Sequence, residues 1–394
     1  MPEFCRFDPT ECHFPRPSVP LLPALQWRDL TFGTSDVTPA DVLRGPGVRH
    51  FSRGRYAMHA AYQASGVGPE GTLLAPAYHC RTMLDPALSL KGNILLYGLN
   101  SDLTPQPESI RALVANSAIA VKALVVPHYF GFEQPQALMA DLAAFCRQQN
   151  IRLIEDCSHA WQVAVKRATH SQAQSGHMLM ASPYKFFACE DGGTLWGHPA
   201  VLSSSQAIAP SLVPELRSIG KVLAKSWSQR RTATVPTPTD RIAPQSSHQG
   251  QYIEEISSSP STMYDVSYEN RSSFASSRWV MQHTKLRLVV KQRQQHYHRW
   301  TQALAVLCGC KALFPDLPPD CAPYMFPLQI DNPAQHFHQL RHMGLPIWRW
   351  DEMAVSDCKV SNSYRLGLLH LPCHQSLSEK QLQWMIAAVT RVFK

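Results

Sequence analysis

The amino-acid sequence predicts an α/β fold with a mostly parallel central sheet and a smaller C-terminal α+β domain. Short apolar segments alternate with amphipathic segments between residues 46 and 200, as parallel strands and their crossover helices do. The strand-like segments are apolar at nearly every position, which is typical of strands buried on both faces. The chain has 394 residues, more than one ordinary core holds, so a second domain is expected.

Residues 1–45 are rich in proline and irregular. Proline removes a backbone donor and breaks helices, so we expect an arm that lies along its own or a partner subunit. Trp27 and Leu30 are the apolar residues that would anchor this arm.

The α/β pattern of the large domain, residues 46–200, begins near Phe51. A turn at Gly54 leads into a helix, because glycine permits the tight backbone that precedes it. The predicted elements between this helix and residue 150 are a strand that runs into a turn over 71–80, a strand from Asn93 to Leu99, a helix from Glu108 to Ala115, an apolar strand over 123–131 and a helix from Gln136 to Gln149.

The most informative stretch is residues 151–197. An apolar strand from Ile151 ends in Asp156, at the edge where open α/β sheets bind their ligands. Lys185 follows within an aromatic segment, and the pair Gly192 and Gly193 allows a tight turn.

An acid at a strand end and a lysine in an apolar pocket are the groups that pyridoxal phosphate (PLP) requires. The lysine forms a Schiff base with the cofactor aldehyde, and the acid keeps the pyridine nitrogen protonated so that the ring accepts electrons. Apolar surroundings lower the pKa of a lysine, which frees its amine as a nucleophile. Alone, Asp156 or Lys185 would be an ordinary solvated charge, whereas together they favour a cofactor site.

These motifs resemble the DegT/DnrJ/EryC1/StrS family of PLP-dependent aminotransferases, most closely a branch found with exopolysaccharide genes. The resemblance is good over about residues 45–200 and looser over 262–394. It implies the three-layer sandwich of fold type I and a homodimer, because such sites are usually completed by a second chain. The residues that carry it are Glu155 to Ala160, Ser182 to Phe187 and Asp191 to Gly193, supported by Pro76 to Cys80, Pro127 to Gly131 and Leu371 to His374.

The resemblance implies a role for each catalytic residue. Lys185 would carry the cofactor and move the substrate's α-proton, Asp156 would pair with the pyridine nitrogen, and His159 would lie near the ring or its O3′ oxygen. Ser182 and the helix start at Gly54, Arg55 and Tyr56 would hold the phosphate.

Several positions depart from the family pattern. Arg55 replaces the usual threonine, although a guanidinium also binds phosphate. Cys80 replaces an aromatic residue that usually stacks on the ring, with Tyr78, His79 or a residue elsewhere as substitutes. Ser182 lies closer to Lys185 than is usual.

One residue is expected to act on the neighbouring subunit. Asn270 is the candidate for the asparagine that reaches the neighbour's phosphate site in this family. Arg271 and Arg278 are nearby alternatives for binding an anionic substrate.

The remainder of the chain divides into three parts. Residues 201–263 are rich in Ser, Gln and Pro, which predicts a flexible insertion with at most a short helix near Leu216 to Trp227. Residues 264–300 carry a helical period that predicts one connecting helix from Phe274 to Leu304. The small domain, 301–394, is expected to contain a strand before Asp331, a helix from Ala334 to Met343, a strand around Ile347 and a final helix from Glu379 to Phe393, capped by Ser376 or Ser378.

The composition of the chain argues against a nucleic-acid-binding, secreted, membrane-spanning or metal-binding protein. The net charge of +8 is spread along the chain, which argues against nucleic-acid binding and suits anionic small substrates. Eleven scattered cysteines indicate reduced thiols in the cytoplasm, and neither a signal peptide nor a membrane span is predicted. Cys308 and Cys310 have no second ligand pair, so no metal site is predicted.

The sequence therefore predicts an aminotransferase that moves an amino group from Glu or Gln to a keto-sugar nucleotide or related keto substrate, in polysaccharide or lipopolysaccharide biosynthesis. Some sugar dehydratases of this fold replace the lysine by histidine, so Lys185 favours transamination. Two alternatives remain open at this point, a PLP lyase and a catalytically degenerate scaffold or regulator. The departures at Arg55 and Cys80 and the long insertion support the latter.

Overall fold

The computed structural model describes residues 2–7, 14–17, 19–169, 176–202, 207–231, 252–255 and 259–394. The strands of these residues are β1 Phe4–Phe7, β2 Val48–Phe51, β3 Thr72–Pro76, β4 Asn93–Tyr97, β5 Val121–Pro127, β6 Arg152–Asp156, β7 His177–Ala181, β8 Gly193–Trp196, β9 Tyr252–Glu255, β10 Cys310–Ala312, β11 Met325–Ile330, β12 Met353–Ala354 and β13 Leu368–Pro372.

The helices of the same residues alternate with these strands through most of the chain. They are α1 Ala40–Leu43, α2 Gly54–Ser65, α3 Arg81–Ser89, α4 Pro107–Asn116, α5 Gln136–Gln148, α6 Trp161–Thr169, α7 Leu212–Arg231, α8 Ala275–His283, α9 Leu286–Leu304, α10 Pro333–His342, α11 Lys359–Gly367 and α12 Glu379–Phe393. Within the described residues, none of them combines the length and apolar character that crossing a bilayer requires.

A seven-stranded sheet forms the centre of the large domain. Its order is β2-β8-β7-β6-β5-β3-β4. The five strands β3 to β7 run parallel, and β8 and β2 are antiparallel to their neighbours. The predicted α/β class with a mostly parallel sheet is confirmed. Because β5, β6 and β7 are adjacent and parallel, their carboxyl ends meet at one edge of the sheet.

The small domain is built on the antiparallel sheet β10-β11-β13, packed against α9, α10 and α12. α12 spans the predicted residues. Its cap is Ser378, which forms a reciprocal pair of hydrogen bonds with Gln381. The other candidate cap, Ser376, instead accepts a hydrogen bond from the backbone of Ala24.

The described residues before residue 31 pack on their own chain. β1 pairs antiparallel with both β12 and β9. His374 Nε2 lies 2.9 Å from the carbonyl oxygen of Pro20. Of the two predicted anchors, Leu30 is buried, whereas Trp27 is 59% exposed and does not anchor the arm on its own chain.

The connecting segment is two helices, whereas the sequence predicted one. α8 ends at His283, and Thr284 adopts an extended backbone. Thr284 pairs with Leu30 in an isolated β-bridge, and its hydroxyl donates to the carbonyl of Val280 at 2.7 Å. Because the helical period of the sequence continues across this break, we attribute the break to the pairing of Thr284 with the N-terminal arm.

Two further predictions need correction. The insertion at 201–263 contains α7, which is longer than the short helix predicted, and β9. Its residues 203–206, 232–251 and 256–258 lie outside the described residues. The strand around Ile347 is only a bridge between Trp348 and His370.

Candidate active site

Asp156 is the last residue of β6, at the edge where the parallel strands end. It is buried, and its Oδ1 accepts a hydrogen bond of 2.8 Å from the amide of Ser158. Burial raises the pKa of Asp156, although the charge of Lys185 and the bond from Ser158 act in the opposite direction. The carboxyl group therefore lies where a buried cationic group would stabilise its ionised form.

Lys185 lies in a short 3₁₀ turn, Pro183–Lys185, that follows β7. Its Nζ atom is 5.6 Å from the ring centroid of Tyr324. The sequence led us to expect a lowered lysine pKa. Burial acts in that direction, but Tyr184, Tyr324, Cys80 and Asp156 outweigh it and the pKa of Lys185 is raised. The expectation failed because it counted the apolar neighbours and not the ionisable ones.

His159 lies beside Lys185 and is neutral. Its ring stacks on Tyr324 with centroids 4.3 Å apart. Burial, together with the charges of Lys185 and His370, holds the pKa of His159 well below its usual range. Its Nδ1 accepts a hydrogen bond of 3.3 Å from the amide of Phe130. The proton of the neutral ring is therefore on Nε2, which is available as a donor.

The start of α2 meets Ser182 and Ser158 at the floor of the same cavity. The hydroxyl of Ser182 donates to that of Ser158 at 3.0 Å. A Cβ atom at residue 54 would lie 1.9 Å from Ser182 Oγ, so any side chain there would displace this hydroxyl from its position. Hydroxyl groups beside a helix N-terminus suit a phosphate, because the helix dipole and free amides favour an anion. These residues fit the phosphate of PLP.

Arg55 and Tyr56 follow Gly54 on α2 but differ in position. Arg55 lines the cavity, and its guanidinium donates to the carbonyl of Met263. Tyr56 is buried beneath the surface and accepts a hydrogen bond from the amide of Asp265. Of the two, only Arg55 faces the cavity.

Of the four remaining candidate site residues, one lines the cavity and three do not. Cys80 lines the cavity, with its Sγ 3.2 Å from the hydroxyl of Thr82. Tyr78 lies behind Trp350, with ring centroids 4.8 Å apart, and does not line the cavity. His79 is also turned away, since its Nε2 accepts from the amide of Ala354. Asn270 is exposed and outside the cavity.

Sequence reasoning missed several residues at the site. Trp350 comes from the small domain and lines the cavity. Its only signal was its place among the aromatic residues that follow the strand predicted around Ile347, and nothing in the sequence links it to residue 156. Ser158, Thr82 and Tyr184 also line the cavity, and each lies within three residues of a predicted one.

A buried network supports the sheet edge from behind. Glu155 is fully buried and bonds to His128 at 2.7 Å and Arg167 at 2.9 Å. Burial would raise the pKa of Glu155, but its hydrogen bonds to histidine outweigh this and lower it. Because His128 lines the cavity, this network fixes one wall of the site.

The arrangement as a whole supports amine chemistry. One cavity holds a lysine amine, a carboxyl group, a neutral imidazole and an anion cradle, contributed by the ends of adjacent strands and one helix start. A lysine and an acid in this relation are the protein groups that PLP chemistry uses.

Comparisons with known proteins agree with this geometry. The profile of the DegT/DnrJ/EryC1/StrS aminotransferase family matches residues 48–227. In sequence, the chain matches no curated protein. The aminotransferase TlmJ from Streptoalloteichus hindustanus is similar in structure, with a TM-score of 0.59, 17% identity and coverage of 90% of this chain and 87% of that one.

Two further solved structures are similar. NtdA from Bacillus subtilis, with bound cofactor PMP, has a TM-score of 0.57 at 12% identity, covering 98% of this chain and 89% of that one. The sugar aminotransferase CalS13 from Micromonospora echinospora has a TM-score of 0.55 at 15% identity, covering 95% and 99%. At such identities the structural similarity establishes the fold, and the profile match covers the strands and turns that build the site. Residues 48–227 of the chain thus match the DegT/DnrJ/EryC1/StrS aminotransferase family, a family of PLP-dependent enzymes.

Proposed function

We propose that this protein transfers an amino group from an amino acid, glutamate or glutamine, to a keto-sugar nucleotide or a related keto substrate. The observation that carries this proposal is the common cavity of Lys185, Asp156, Ser182 and Gly54. The family supplies the reaction type, whereas the donor and the acceptor are the proposed part.

Bound PLP supplies an aldehyde that reacts with amines and a ring that accepts electrons. The protein's residues would act around it. Asp156, a carboxylate near a cation, would hold a proton on the ring nitrogen. Lys185 would accept a proton from the substrate's α-carbon and return it at the acceptor carbon. His159 would donate from Nε2, and Ser182 and Ser158 would bind the phosphate.

Unpaired cationic groups near the cavity support an anionic acceptor. Arg53 lies over the ring of Tyr184, with its guanidinium carbon 4.7 Å from the centroid. Among the described residues, no carboxylate lies within ion-pair distance of Arg53, Arg55 or Arg271. Guanidinium groups bind phosphate by paired hydrogen bonds, and a nucleotide sugar carries a diphosphate. CalS13, which is similar in fold, is a sugar aminotransferase, and this supports a sugar as the acceptor.

The experiment that tests the proposal separates the two half-reactions. We expect glutamate or glutamine to bleach the visible absorbance of PLP-loaded protein, and a keto-sugar nucleotide to restore it. The same sugar without its diphosphate is the matched control and should restore the absorbance much more slowly. Restoration by 2-oxoglutarate but by no keto sugar would contradict the proposed acceptor. Bleaching by amino acids with release of ammonia would indicate a lyase instead.

We also propose that the protein is a homodimer, and the surface of α7 supports this. The helix buries Ser218 and Ser226 and exposes an apolar stripe, the reverse of an ordinary surface helix. The exposed residues of the stripe are Leu212, Leu216, Ile219, Leu223 and Trp227.

The stripe is nearly symmetric about its centre, between Ile219 and Gly220. A two-fold axis there would place Leu216 against Leu223 of the partner subunit, and Leu212 against the partner's Trp227. Such self-complementarity is what a two-fold interface requires. Gly220 has open space above its Cα, which lets two helices approach closely.

A charge in this stripe should weaken the dimer. We expect Leu216→Glu to lower the dimer population, because it places two like charges in an apolar contact. Sedimentation velocity at several concentrations measures the change. Ser228→Glu, which puts the same charge on another face of α7, is the control. Equal association of both variants and the wild type would refute this interface.

A cytoplasmic location is the final part of the proposal. The described cysteines, ten of the chain's eleven, are all free thiols. Free thiols persist in a reducing compartment. Cell fractionation checks this, and recovery of the protein outside the cytoplasm would contradict it.

A further inference from the structure

Arg293 lies on α9 and is fully buried. Its guanidinium donates to oxygen atoms of three separate segments. The acceptors are Gln375 Oε1 at 2.8 Å, the carbonyls of Pro323 at 3.0 Å and Tyr324 at 3.4 Å, and the carbonyls of Phe186 at 2.9 Å and Lys185 at 3.3 Å. The group also lies over the ring of Phe186.

All of these acceptors are neutral. Among the described residues, no carboxylate forms an ion pair with Arg293. Burial lowers the pKa of Arg293 to about 10, so the group remains a cation at neutral pH. A buried charge is costly unless its hydrogen bonds are satisfied, and here carbonyl groups alone satisfy them. Removing the guanidinium group would leave several of these buried carbonyls without a hydrogen-bond donor.

The two backbone segments held by Arg293 meet beside the Lys185 amine. One is the turn of Lys185, and the other is the segment just before β11, which carries Tyr324. Tyr324 stacks on His159 and lies 5.6 Å from the Lys185 amine. Gln375 adds a further link, because its amide donates to the same Phe186 carbonyl at 3.1 Å. One side chain thus ties the large domain to the small domain directly behind the reactive amine.

We propose that Arg293 is a positioning residue that sets the location of the Lys185 amine relative to Tyr324 and His159. It acts through the backbone and touches neither substrate nor cofactor. The expected effect of Arg293 on kcat rests on the proposed function. Its expected effect on the position of the Lys185 amine does not. This role requires the planar guanidinium group of arginine, because the single ammonium group of a lysine does not reach both backbone segments in the same geometry.

The test compares Arg293→Lys with a matched control on the same helix. Tyr297→Phe removes one buried hydrogen bond one turn away, to the carbonyl of Phe314, without contacting the Lys185 turn. We expect Arg293→Lys to lower kcat about 10- to 100-fold with little change in KM for the amino donor, since small displacements of reacting groups have effects of this size. Tyr297→Phe should leave kcat within about twofold of the wild type.

A second readout does not depend on the cofactor. Reductive methylation of PLP-free protein, followed by peptide mass spectrometry, measures how readily the Lys185 amine reacts. We expect Arg293→Lys to raise the labelling rate of Lys185 several-fold relative to the exposed Lys166, and Tyr297→Phe to leave it unchanged. If Arg293→Lys fails to fold, Gln375→Leu serves as the second variant. It removes the hydrogen bond of the Gln375 amide to the Phe186 carbonyl and should raise the labelling rate of Lys185 by a smaller factor.

The outcomes are distinguishable. If the labelling rate of Lys185 is the same in all variants that fold, Arg293 is a structural residue and the inference is overturned. If labelling changes as expected but no amino acid reacts with the PLP-loaded wild type, the positioning role holds and the proposed function fails.

Discussion

Replacing Lys185 by alanine removes the visible absorbance of the PLP-loaded protein and lowers transaminase activity by at least about 10³-fold. Two functions are lost at once, the covalent attachment of the cofactor and the proton transfer at the substrate's α-carbon. The amine lies 5.6 Å from the ring centroid of Tyr324, in the same cavity as Asp156 and Ser158, and no other lysine of the described residues lines that cavity. Absorbance spectra and a coupled amino-transfer assay measure both effects.

Lys166→Ala provides the matched control. Lys166 lies on α6 at the surface, in an ion pair of 3.1 Å with Glu133. An exposed ion pair contributes little to stability, so this variant should keep both the absorbance and the activity. A Lys185→Ala protein that retains the visible band would place the cofactor on another lysine and refute the assignment.

Asp156→Asn should have opposite effects on stability and activity. Asparagine keeps the shape of the carboxyl group but not its charge. We expect kcat to fall by about 10²-fold or more, because a neutral amide does not hold a proton on the ring nitrogen. In protein purified without PLP, the same change should raise the free energy of unfolding by about 1 kcal/mol, since the buried charge is removed.

The pH dependence follows from the direction of the pKa shift. Burial raises the pKa of Asp156 in the folded protein. Between the unfolded and folded pKa values, the unfolded chain has lost this proton and the folded chain retains it, so stability falls as pH rises through that interval. The gain from Asp156→Asn should therefore be absent in acid and appear as pH rises above the ordinary aspartate range. Thermal unfolding of both proteins across pH measures this.

Asp141→Asn is the control for the same change at the surface. Asp141 is half-exposed and paired with Arg111. Its substitution should alter stability by no more than about 0.5 kcal/mol and leave kcat unchanged. An Asp156→Asn enzyme as active as this control would rule out the assigned role for Asp156.

Sequence patterns were sufficient for the sheet and for much of the cavity because both depend on local signals. The buried strands are recognisable from their apolar composition, and adjacent parallel strands necessarily bring their carboxyl ends to the same edge of the sheet. Asp156, Ser182 and Gly54 therefore meet in the structure as the pattern indicated. Each lies at the boundary of an element, where the sequence changes from apolar to polar or glycine.

The rest depended on contacts between distant segments. Trp350 and Tyr324 reach the site from the small domain, and no periodicity relates them to β6. The break at Thr284 arises from pairing with Leu30, which a helical period does not reveal. The raised pKa of Lys185 likewise depends on side chains from separate elements, Tyr324 and Cys80 among them.

The pairing of β1 has a consequence for biosynthesis. Its two partner strands lie at residues 252–255 and 353–354, and the guanidinium of Arg365 donates to the carbonyl of Cys5. During translation β1 has no partner until residues 252–255 have been made, and its sheet is completed only when residues 353–354 have followed. Contacts so distant in sequence form slowly. While the intervening residues are synthesised, the nascent chain carries an unpaired strand, and chaperones protect exposed strands of this kind.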